Sequence, residues 1–215
     1  MITISISSYN QSEYLRDAIE SALNQTVPCE VLVVDDGSTD NSLEIAREYN
    51  VTVISQVNKG LSSARNTGLM NCDTEYILFL DADDILMPNC VEEILKVDAD
   101  VIGLSFKEFG IRNTKIILMP NPTLEDFKTG NRIGYCSAVK TSVLKEVGGY
   151  SPRMIWGFED YHLWFNLLTR GKKFVTIPEI LWLYRTKEHS MINDANNHAE
   201  ELSAQIRKDF PNAFS

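Results

Sequence analysis

Apolar strand-like segments alternate with amphipathic helical segments through the first 80 residues. Ile2, Ile4 and Ile6 alternate with Thr and Ser, which is the period-two spacing of a β-strand. Further strand candidates are residues 30–34, 51–55 and 75–80, and the helix candidates between them are residues 15–23, 41–46 and 61–70. This alternation predicts an α/β fold in which a mostly parallel central sheet is flanked by helices on both faces.

A polar cluster follows three of these strand candidates. The clusters are residues 7–10, 35–38 and 81–84. In open parallel sheets, ligands bind beyond the carboxyl ends of the strands, where such clusters come together. The sequence therefore predicts a ligand site at one rim of the sheet.

The pattern is less regular after Pro88. Here the strand candidates are residues 100–106, 115–119, 174–177 and 180–184, and the helix candidates are residues 91–97, 141–147, 159–170 and 198–208. The polar stretch 120–134, which contains two Pro and two Gly, is predicted to be a loop. A length of 215 residues suits one domain, and no internal repeat or linker interrupts it.

The composition excludes several classes of protein. Apolar residues make up 44% and charged residues 23%, which is typical of a globular chain and excludes a disordered one. The net charge of −10 disfavours nucleic-acid binding, which relies on basic surfaces. It does not exclude a small anionic ligand, because a bound metal ion can supply local positive charge.

Other features bear on where the protein works. The four cysteines form no CxxC pair, so a zinc site and a disulfide framework are disfavoured. The N-terminus lacks the basic and apolar segments of a signal peptide, and no apolar run approaches the roughly 20 residues of a membrane span. We expect a cytoplasmic protein without a transmembrane segment, and peripheral contact with the inner face of the membrane stays open.

The sequence Asp81-Ala82-Asp83-Asp84 follows a buried-strand candidate. Carboxylates at i and i+2 past a strand point the same way and can share one hard cation or one ligand. The alternative is an acidic turn that caps the next helix, since Asp is common in turns.

Two further segments could contact a nucleotide. In Asp35-Asp36-Gly37-Ser38, one carboxylate could accept a hydrogen bond from a nucleobase or ribose, or the segment could be only a turn before a helix. Arg65 is predicted on an early helical turn, where it could reach a diphosphate or lie on a solvated face.

Glu159 and Asp160 open a helix candidate that carries a long apolar side. Acids in a first turn are favoured by the helix dipole alone, but a carboxylate here could also act as a general base. His189 follows the last strand candidate and is either a ligand for a divalent ion or an ordinary surface histidine.

Six segments together resemble glycosyltransferase family 2, whose inverting enzymes transfer sugars from nucleotide-diphospho-sugars and have the GT-A fold. The matching segments are Ser8-Tyr9-Asn10, SALNQT (21–26), VVDDGSTDNS (33–42), NKGLSSARNTG (58–68), LFLDADD (78–84) and GFEDYHLW (157–164). They occur in the family's order over residues 1–190. The resemblance implies one domain with a nucleotide-sugar half (1–106), a smaller acceptor-side half (107–190) and a helical C-terminal tail (191–215).

The resemblance also implies a role for each matched residue. Ser7, Tyr9 and Asp36 hold the nucleotide, with Asp36 on the base. Arg65 contacts the donor, Asp81 lies near the ribose, and Asp84 touches the donor sugar. Asp83 ligates Mn²⁺ or Mg²⁺ on the diphosphate, with His189 as a further metal ligand. Asp160 is the catalytic base, and Glu159 lies close by for the acceptor.

The implied reaction moves one sugar, a hexose or an N-acetylhexosamine, from a UDP-linked donor to a hydroxyl of a glycan, lipid-linked or protein acceptor. Processive members of the family carry a QxxRW element and membrane helices. The nearest fragment here is Gln205-Ile206-Arg207-Lys208, so we expect a single transfer per encounter. Residues 107–135, an oligomer or a partner could complete the acceptor surface.

Three other functions are weighed against this one. A sugar-phosphate nucleotidyltransferase needs a Gly-rich basic loop near the N-terminus, and residues 7–13 contain no Gly, Lys or Arg. A phosphatase with an Asp nucleophile would carry its DxD element after the first strand. The DxD element here is Asp81-Ala82-Asp83, much later in the chain, which argues against a phosphatase. A non-catalytic nucleotide-sugar-binding or assembly subunit stays as the alternative, although Asp83 and Asp160 are both present.

Overall fold

One mixed sheet runs through this computed structural model, which describes residues 1–188 and 191–214. Its strands are β1 (Ile2–Ser8), β2 (Glu30–Asp35), β3 (Thr52–Ser55), β4 (Tyr76–Asp81), β5 (Ile85–Leu86), β6 (Val101–Gly110), β7 (Lys115–Ile116), β8 (Ser137–Lys140) and β9 (Phe174–Thr186). Their spatial order is β3-β2-β1-β4-β8-β6-β9-β5, and β7 pairs with β6.

Helices cover both faces of this sheet, as the strand–helix alternation predicts. They are α1 (Leu15–Leu23), α2 (Ser42–Arg47), α3 (Leu61–Met70), α4 (Cys90–Leu95), α5 (Leu124–Phe127), α6 (Thr141–Val147), α7 (Glu159–Thr169), α8 (Met191–Asn197) and α9 (Ala199–Asp209), followed by a 3₁₀ turn at Pro211–Ala213. The expected α/β class, with a central sheet between helices, is confirmed.

The first four strands, β1 to β4, pair in parallel, and their carboxyl ends lie at the same edge of the sheet. Ser8 on β1 lies opposite Asp35 on β2, and Ser7 lies opposite Asp81 on β4. The polar residues that end three separate strands therefore meet at one rim, as the sequence predicts.

The second half of the sheet adds antiparallel pairs that the sequence did not indicate. β8 joins the two halves by pairing antiparallel with both β4 and β6. Its four residues are too few to show a period, and they run directly into α6. The predicted strands 174–177 and 180–184 are one strand, β9, whose register against β6 shifts twice between Ile177 and Trp182. The first shift spans Pro178, which has no N–H to donate to the ladder.

A short helix lies inside the stretch predicted to be a loop, residues 120–134. It is α5, and Thr123 caps it: the Thr123 hydroxyl accepts from the Asp126 N–H, and the Asp126 carboxylate accepts from the Thr123 N–H at 2.8 Å. This reciprocal capping box stabilises a single helical turn in an otherwise irregular segment.

The two faces of the sheet bury separate apolar clusters. Along β4, Leu78 and Leu80 pack in one cluster and Ile77 and Phe79 in the other, because successive side chains of a strand point to opposite faces.

Within the described residues, no helix is long and apolar enough to cross a membrane.

Helix α3 lies unusually close to β1. A Cβ atom at Gly68 would come within 2.1 Å of the Ser5 Oγ, so any larger residue would force the Ser5 side chain or the helix to move. The contact matters for the site because Arg65 lies one helical turn before Gly68 on the same helix.

Candidate active site

Two cavities open beside the carboxyl ends of the parallel strands. The first, about 730 Å³, is named here the rim cavity and is lined by Ser7, Tyr9, Asp36, Asp81, Asp83 and Lys187, among others. The second, about 540 Å³, is named the helix cavity and is lined by Arg65, Asp81, Asn131, Tyr135, Glu159 and Asp160, among others. Asp81 lines both, so the two cavities meet at the end of β4.

Arg65 lies at this junction and is 1% exposed. Its Nη2 donates to Asp81 Oδ1 at 2.9 Å, and its Nη1 donates to Glu159 Oε1 at 2.5 Å. A planar guanidinium suits this task because its donors form a rigid fork. Arg65 therefore ties the end of β4 to the start of α7 and sets the spacing of the two acidic segments.

Aromatic rings complete the surroundings of Arg65. Its guanidinium lies 4.8 Å from the centroid of the Tyr135 ring and 5.3 Å from that of Tyr150. Burial opposes the charge, but Asp81 and Glu159 keep the pKa of Arg65 well above its ordinary value. Arg65 is thus a permanent cation that compensates the buried Glu159 and the partly buried Asp81.

Tyr135 holds the turn of residues 81–84 in shape. Its hydroxyl accepts from the Asp81 N–H at 3.1 Å and donates to the Asp84 carboxylate. Burial, reinforced by Asp81 and Asp84, raises the pKa of Tyr135 well above its usual range, so the hydroxyl keeps its proton.

Asp84 is 1% exposed and faces inward. Besides the Tyr135 contact, its Oδ1 accepts from the Arg185 N–H at 2.6 Å. Burial raises its pKa well above the usual range, and the neighbouring Asp83 adds to the effect. Through these contacts the Asp84 carboxylate joins β9 to the turn of residues 81–84. The role predicted for Asp84, contact with the donor sugar, stays a prediction.

Asp83 points into the rim cavity and contacts a protein cation. Lys187 Nζ lies 2.6 Å from Asp83 Oδ2, and Arg185 Nε donates to the Asp83 carbonyl at 2.8 Å. Arg185 itself is held between the rings of Tyr14 and Phe109, with each centroid 4.4 Å away. The end of β9 is thereby fixed against the turn of residues 81–84, which is named here the DxD turn.

Asp160 and Glu159 begin α7 after a tight turn. Phe158 adopts φ 59°, a left-handed conformation that few non-glycine residues take. Asp160 Oδ2 accepts from Asn131 Nδ2 at 2.9 Å, and Oδ1 accepts from the Tyr161 N–H at 2.6 Å. Burial and the adjacent Glu159 raise the pKa of Asp160 to about 7, which suits a carboxylate that takes up a proton near neutral pH.

The predicted nucleotide-binding residues lie together in the rim cavity. Asp36 accepts from Gln56 Nε2 at 2.6 Å and from the N–H groups of Lys59 and Gly60 at 3.0 and 2.8 Å. Ser7 is buried, and its Oγ lacks a partner within the described structure. Tyr9 is 46% exposed at the opening of the cavity.

The acidic turn has the chemistry of a hard-cation site that needs ligand oxygens to complete it. Within residues 1–188 and 191–214, no group of three or more His, Cys, Asp or Glu could hold a metal ion. Asp83 supplies a carboxylate oxygen that already faces a cation, and Mn²⁺ or Mg²⁺ readily takes its remaining ligands from phosphates and water. These residues fit a metal bound jointly with a phosphate ligand. His189, the other predicted ligand, lies outside the described residues.

Of the predicted site residues in the described part of the chain, all but Asp84 line one of the two cavities. The cavities also contain four residues that the sequence analysis did not single out: Asn131, Tyr135, Arg185 and Lys187. Asn131 and Tyr135 come from the stretch that looked like a loop and the residues after it. Arg185 and Lys187 carry a sequence signal of their own, two cations at i and i+2 past a strand candidate.

Comparisons with known proteins bear on this arrangement. The sequence profile of the family described as glycosyl transferase family 2 matches residues 3–148. The chain is 47% identical over 98 residues to chondroitin synthase of Escherichia coli. The aligned region covers 43% of this chain and 14% of that protein. The chain therefore spans only a small part of that relative.

Solved structures share the fold. TarS 1–349 of S. aureus in complex with UDP has a TM-score of 0.77 and 21% identity, over 95% of this chain and 64% of that one. The mannosyltransferase PcManGT of Pyrobaculum calidifontis, in complex with GDP-Man and Mn²⁺, has a TM-score of 0.68 and 18% identity, over 94% of this chain and 60% of that one. These likenesses show the GT-A fold, and with the profile match, which covers more than half of the sequence, they establish that this chain belongs to glycosyl transferase family 2.

Proposed function

We propose that this protein is an inverting glycosyltransferase that moves one sugar from a nucleotide-diphospho-sugar to an acceptor hydroxyl. The observation that carries the proposal is the meeting of two cavities at Asp81, with the predicted metal ligand Asp83 on one side and the predicted base Asp160 on the other. Donor and acceptor can thus approach one reacting carbon from opposite directions.

The rim cavity binds the nucleotide in this proposal. Asp36 accepts a hydrogen bond from the base, because its carboxylate lines the cavity and is held by the Lys59 and Gly60 N–H groups. Ser7 offers a buried hydroxyl without a described partner, and the exposed ring of Tyr9 can lie against the base. Arg65, which the family resemblance predicts to contact the donor, is 1% exposed and does not line the rim cavity, so we assign it instead the positioning of Asp81, which lies towards the ribose.

Asp83 holds Mn²⁺ or Mg²⁺ together with the diphosphate of the donor, with His189 as a candidate further ligand. The ion would neutralise the charge that develops on the departing nucleoside diphosphate, which typically contributes several kcal/mol. Asp84 supports this step by fixing the turn through Tyr135 and Arg185.

Asp160 takes the proton of the acceptor hydroxyl from within the helix cavity. As the acceptor oxygen bonds to the anomeric carbon, the bond from that carbon to the diphosphate breaks on the opposite face, and the configuration inverts. A positioned general base contributes about 10²- to 10⁴-fold. Glu159 is paired with Arg65, so it orients the site and leaves Asp160 to carry the proton.

The proposal extends to the substrates and setting. UDP is the nucleotide that we propose, as the family resemblance implies, and the sugar is a hexose or an N-acetylhexosamine; solved structures with the same fold hold UDP in one case and GDP-Man in another. The acceptor is a glycan, a lipid-linked sugar or a protein, which the acceptor-side half, residues 107–190, receives. One transfer occurs per encounter, in the cytoplasm, with peripheral membrane contact and an oligomer as possible arrangements.

Calorimetric titration with UDP in Mn²⁺, followed by mass-detected turnover of a panel of nucleotide-sugars, tests the proposal. We expect metal-dependent UDP binding and release of UDP from one donor class. Tight UDP binding without transfer or hydrolysis across all donors and acceptors would instead identify a non-catalytic nucleotide-sugar-binding subunit.

A further inference from the structure

Lys187 lies where the metal ion of the proposed function has to bind. Its Nζ is 2.6 Å from Oδ2 of Asp83, and the two side chains are only 23% and 20% exposed. The ammonium group also lies 5.0 Å from the centroid of the Tyr14 ring, a cation–π contact that favours this position. A protein cation therefore already neutralises the carboxylate that is expected to ligate Mn²⁺ or Mg²⁺.

The position of Lys187 is imposed by the fold. Two residues earlier, Arg185 donates its backbone N–H to Asp84 Oδ1 at 2.6 Å and its Nε to the Asp83 carbonyl at 2.8 Å. These two bonds anchor the backbone at the end of β9 on the turn, so the Cα atom of Lys187 is held near Asp83 while its long side chain stays free to reorient.

We propose that Lys187 is a positioning residue that couples metal binding to nucleotide binding: it competes with the metal for Asp83 until the diphosphate of the donor gives it another anion. The inference rests on the proposed function. A divalent ion on either oxygen of Asp83 would lie close to the ammonium group that contacts Oδ2, and the repulsion between the two cations favours displacement of Lys187. Both side chains line the rim cavity, so an anionic diphosphate there is within the reach of a flexible lysine.

The consequence is thermodynamic coupling. The free protein should bind Mn²⁺ weakly, and UDP should strengthen Mn²⁺ binding by supplying ligand oxygens and by drawing Lys187 away from Asp83. By linkage, Mn²⁺ must strengthen UDP binding by the same factor. Lys187 thereby disfavours a metal-loaded site without a donor.

The test measures Mn²⁺ binding by electron paramagnetic resonance of the free ion, with and without UDP, in the full chain. Lys187→Met should bind Mn²⁺ alone up to about fivefold more tightly, the upper end of the range for loss of a partly exposed ion pair. The factor by which UDP strengthens Mn²⁺ binding should fall by at least as much. Lys187→Arg keeps the cation and should stay close to the parent.

Two controls separate local competition from a general change of charge. Lys172→Met removes the same charge from a pair of similar geometry, Lys172 Nζ to Glu146 Oε2 at 2.7 Å, and should leave Mn²⁺ affinity unchanged. In an Asp83→Asn background, Lys187→Met should add no further change, because the shared carboxylate is gone.

The outcomes are distinct. If the parent protein binds Mn²⁺ and UDP together but Lys187→Met matches it in both affinity and coupling, this inference is overturned and the proposed function stands. If the parent binds neither Mn²⁺ nor UDP, both are overturned. An equal gain of Mn²⁺ affinity in Lys172→Met would also overturn the inference, since the change in the net charge of the protein would then explain the effect.

Discussion

Arg65 Nη1 on α3 donates to Glu159 Oε1 on α7 at 2.5 Å, although 94 positions separate the two residues in sequence. The same guanidinium pairs with Asp81 at 2.9 Å. One buried cation thus joins the DxD turn, which faces the rim cavity, to the acidic start of α7, which faces the helix cavity.

Replacing Arg65 should damage both the fold and the site. Arg65→Met leaves the buried Glu159 and the partly buried Asp81 without their cation, and breaking a buried pair typically costs about 3–5 kcal/mol of unfolding free energy. Urea denaturation measures this cost, and sugar transfer should be lost as well. Arg16→Met is the matched control, because Arg16 pairs with Glu48 in the open at 2.7 Å and its loss should change the unfolding free energy far less. Equal losses in the two variants would contradict the central role of Arg65.

Asp160→Asn should abolish transfer and spare donor binding. The amide cannot accept the acceptor proton, so transfer should fall by about 10²- to 10⁴-fold. Calorimetric UDP affinity should stay within about twofold of the parent, because Asp160 lines the helix cavity and not the rim cavity. Transfer at the parental rate would show that another group is the base.

The pH dependence of transfer should show an acidic limb with a midpoint near 7. Burial and Glu159 raise the pKa of Asp160 to about 7, and only its deprotonated form accepts a proton. Therefore kcat/KM should fall as pH decreases through that value, approaching about tenfold per pH unit. UDP affinity measured over the same range corrects for changes in donor binding. A profile that stays flat to pH 5 would refute this assignment.

The same pKa shift has a consequence for stability. A carboxyl whose folded pKa is raised destabilises the folded protein above that pKa, and the effect disappears as pH falls below the unfolded value of about 3.9. Asp160→Asn should therefore raise the Tm relative to the parent at pH 8, and the difference should shrink progressively from pH 7 towards pH 4. Thermal melts across this range check the sign; a Tm difference that grows on acidification would contradict it.

Tyr135→Phe tests whether the DxD turn needs its hydroxyl clamp. The change removes the bonds to the Asp81 N–H and the Asp84 carboxylate, at a cost of about 1–3 kcal/mol of unfolding free energy. Metal-dependent UDP binding should weaken by about tenfold as the turn loosens. Tyr76→Phe, which removes a buried bond to the Ala99 carbonyl at 3.0 Å, should cost stability and leave UDP affinity unchanged. If Tyr135→Phe binds UDP normally, the clamp is not required.

Much of the parallel half of the fold follows from local pattern. Helices at 61–70 and 141–147 are found at the predicted bounds, and Ile2, Ile4 and Ile6 alternate as a buried strand. Periodicity suffices there because each strand is followed by its own helix, and local spacing alone tells which face is buried. The antiparallel strands β5 and β8 could not be read this way, since two to four residues carry no period.

The sequence by itself determined the chemistry: which carboxylates are present, that they follow strands or begin a helix, and that six segments occur in one family's order. Tertiary structure alone decided how these groups are used. It buried Arg65 between Asp81 and Glu159, turned Asp84 inward to Tyr135 and Arg185, and set Lys187 on Asp83. These pairings join residues 16 to 104 positions apart, and no local propensity encodes them; they arise where packing brings charged groups together and excludes the water that would otherwise separate them.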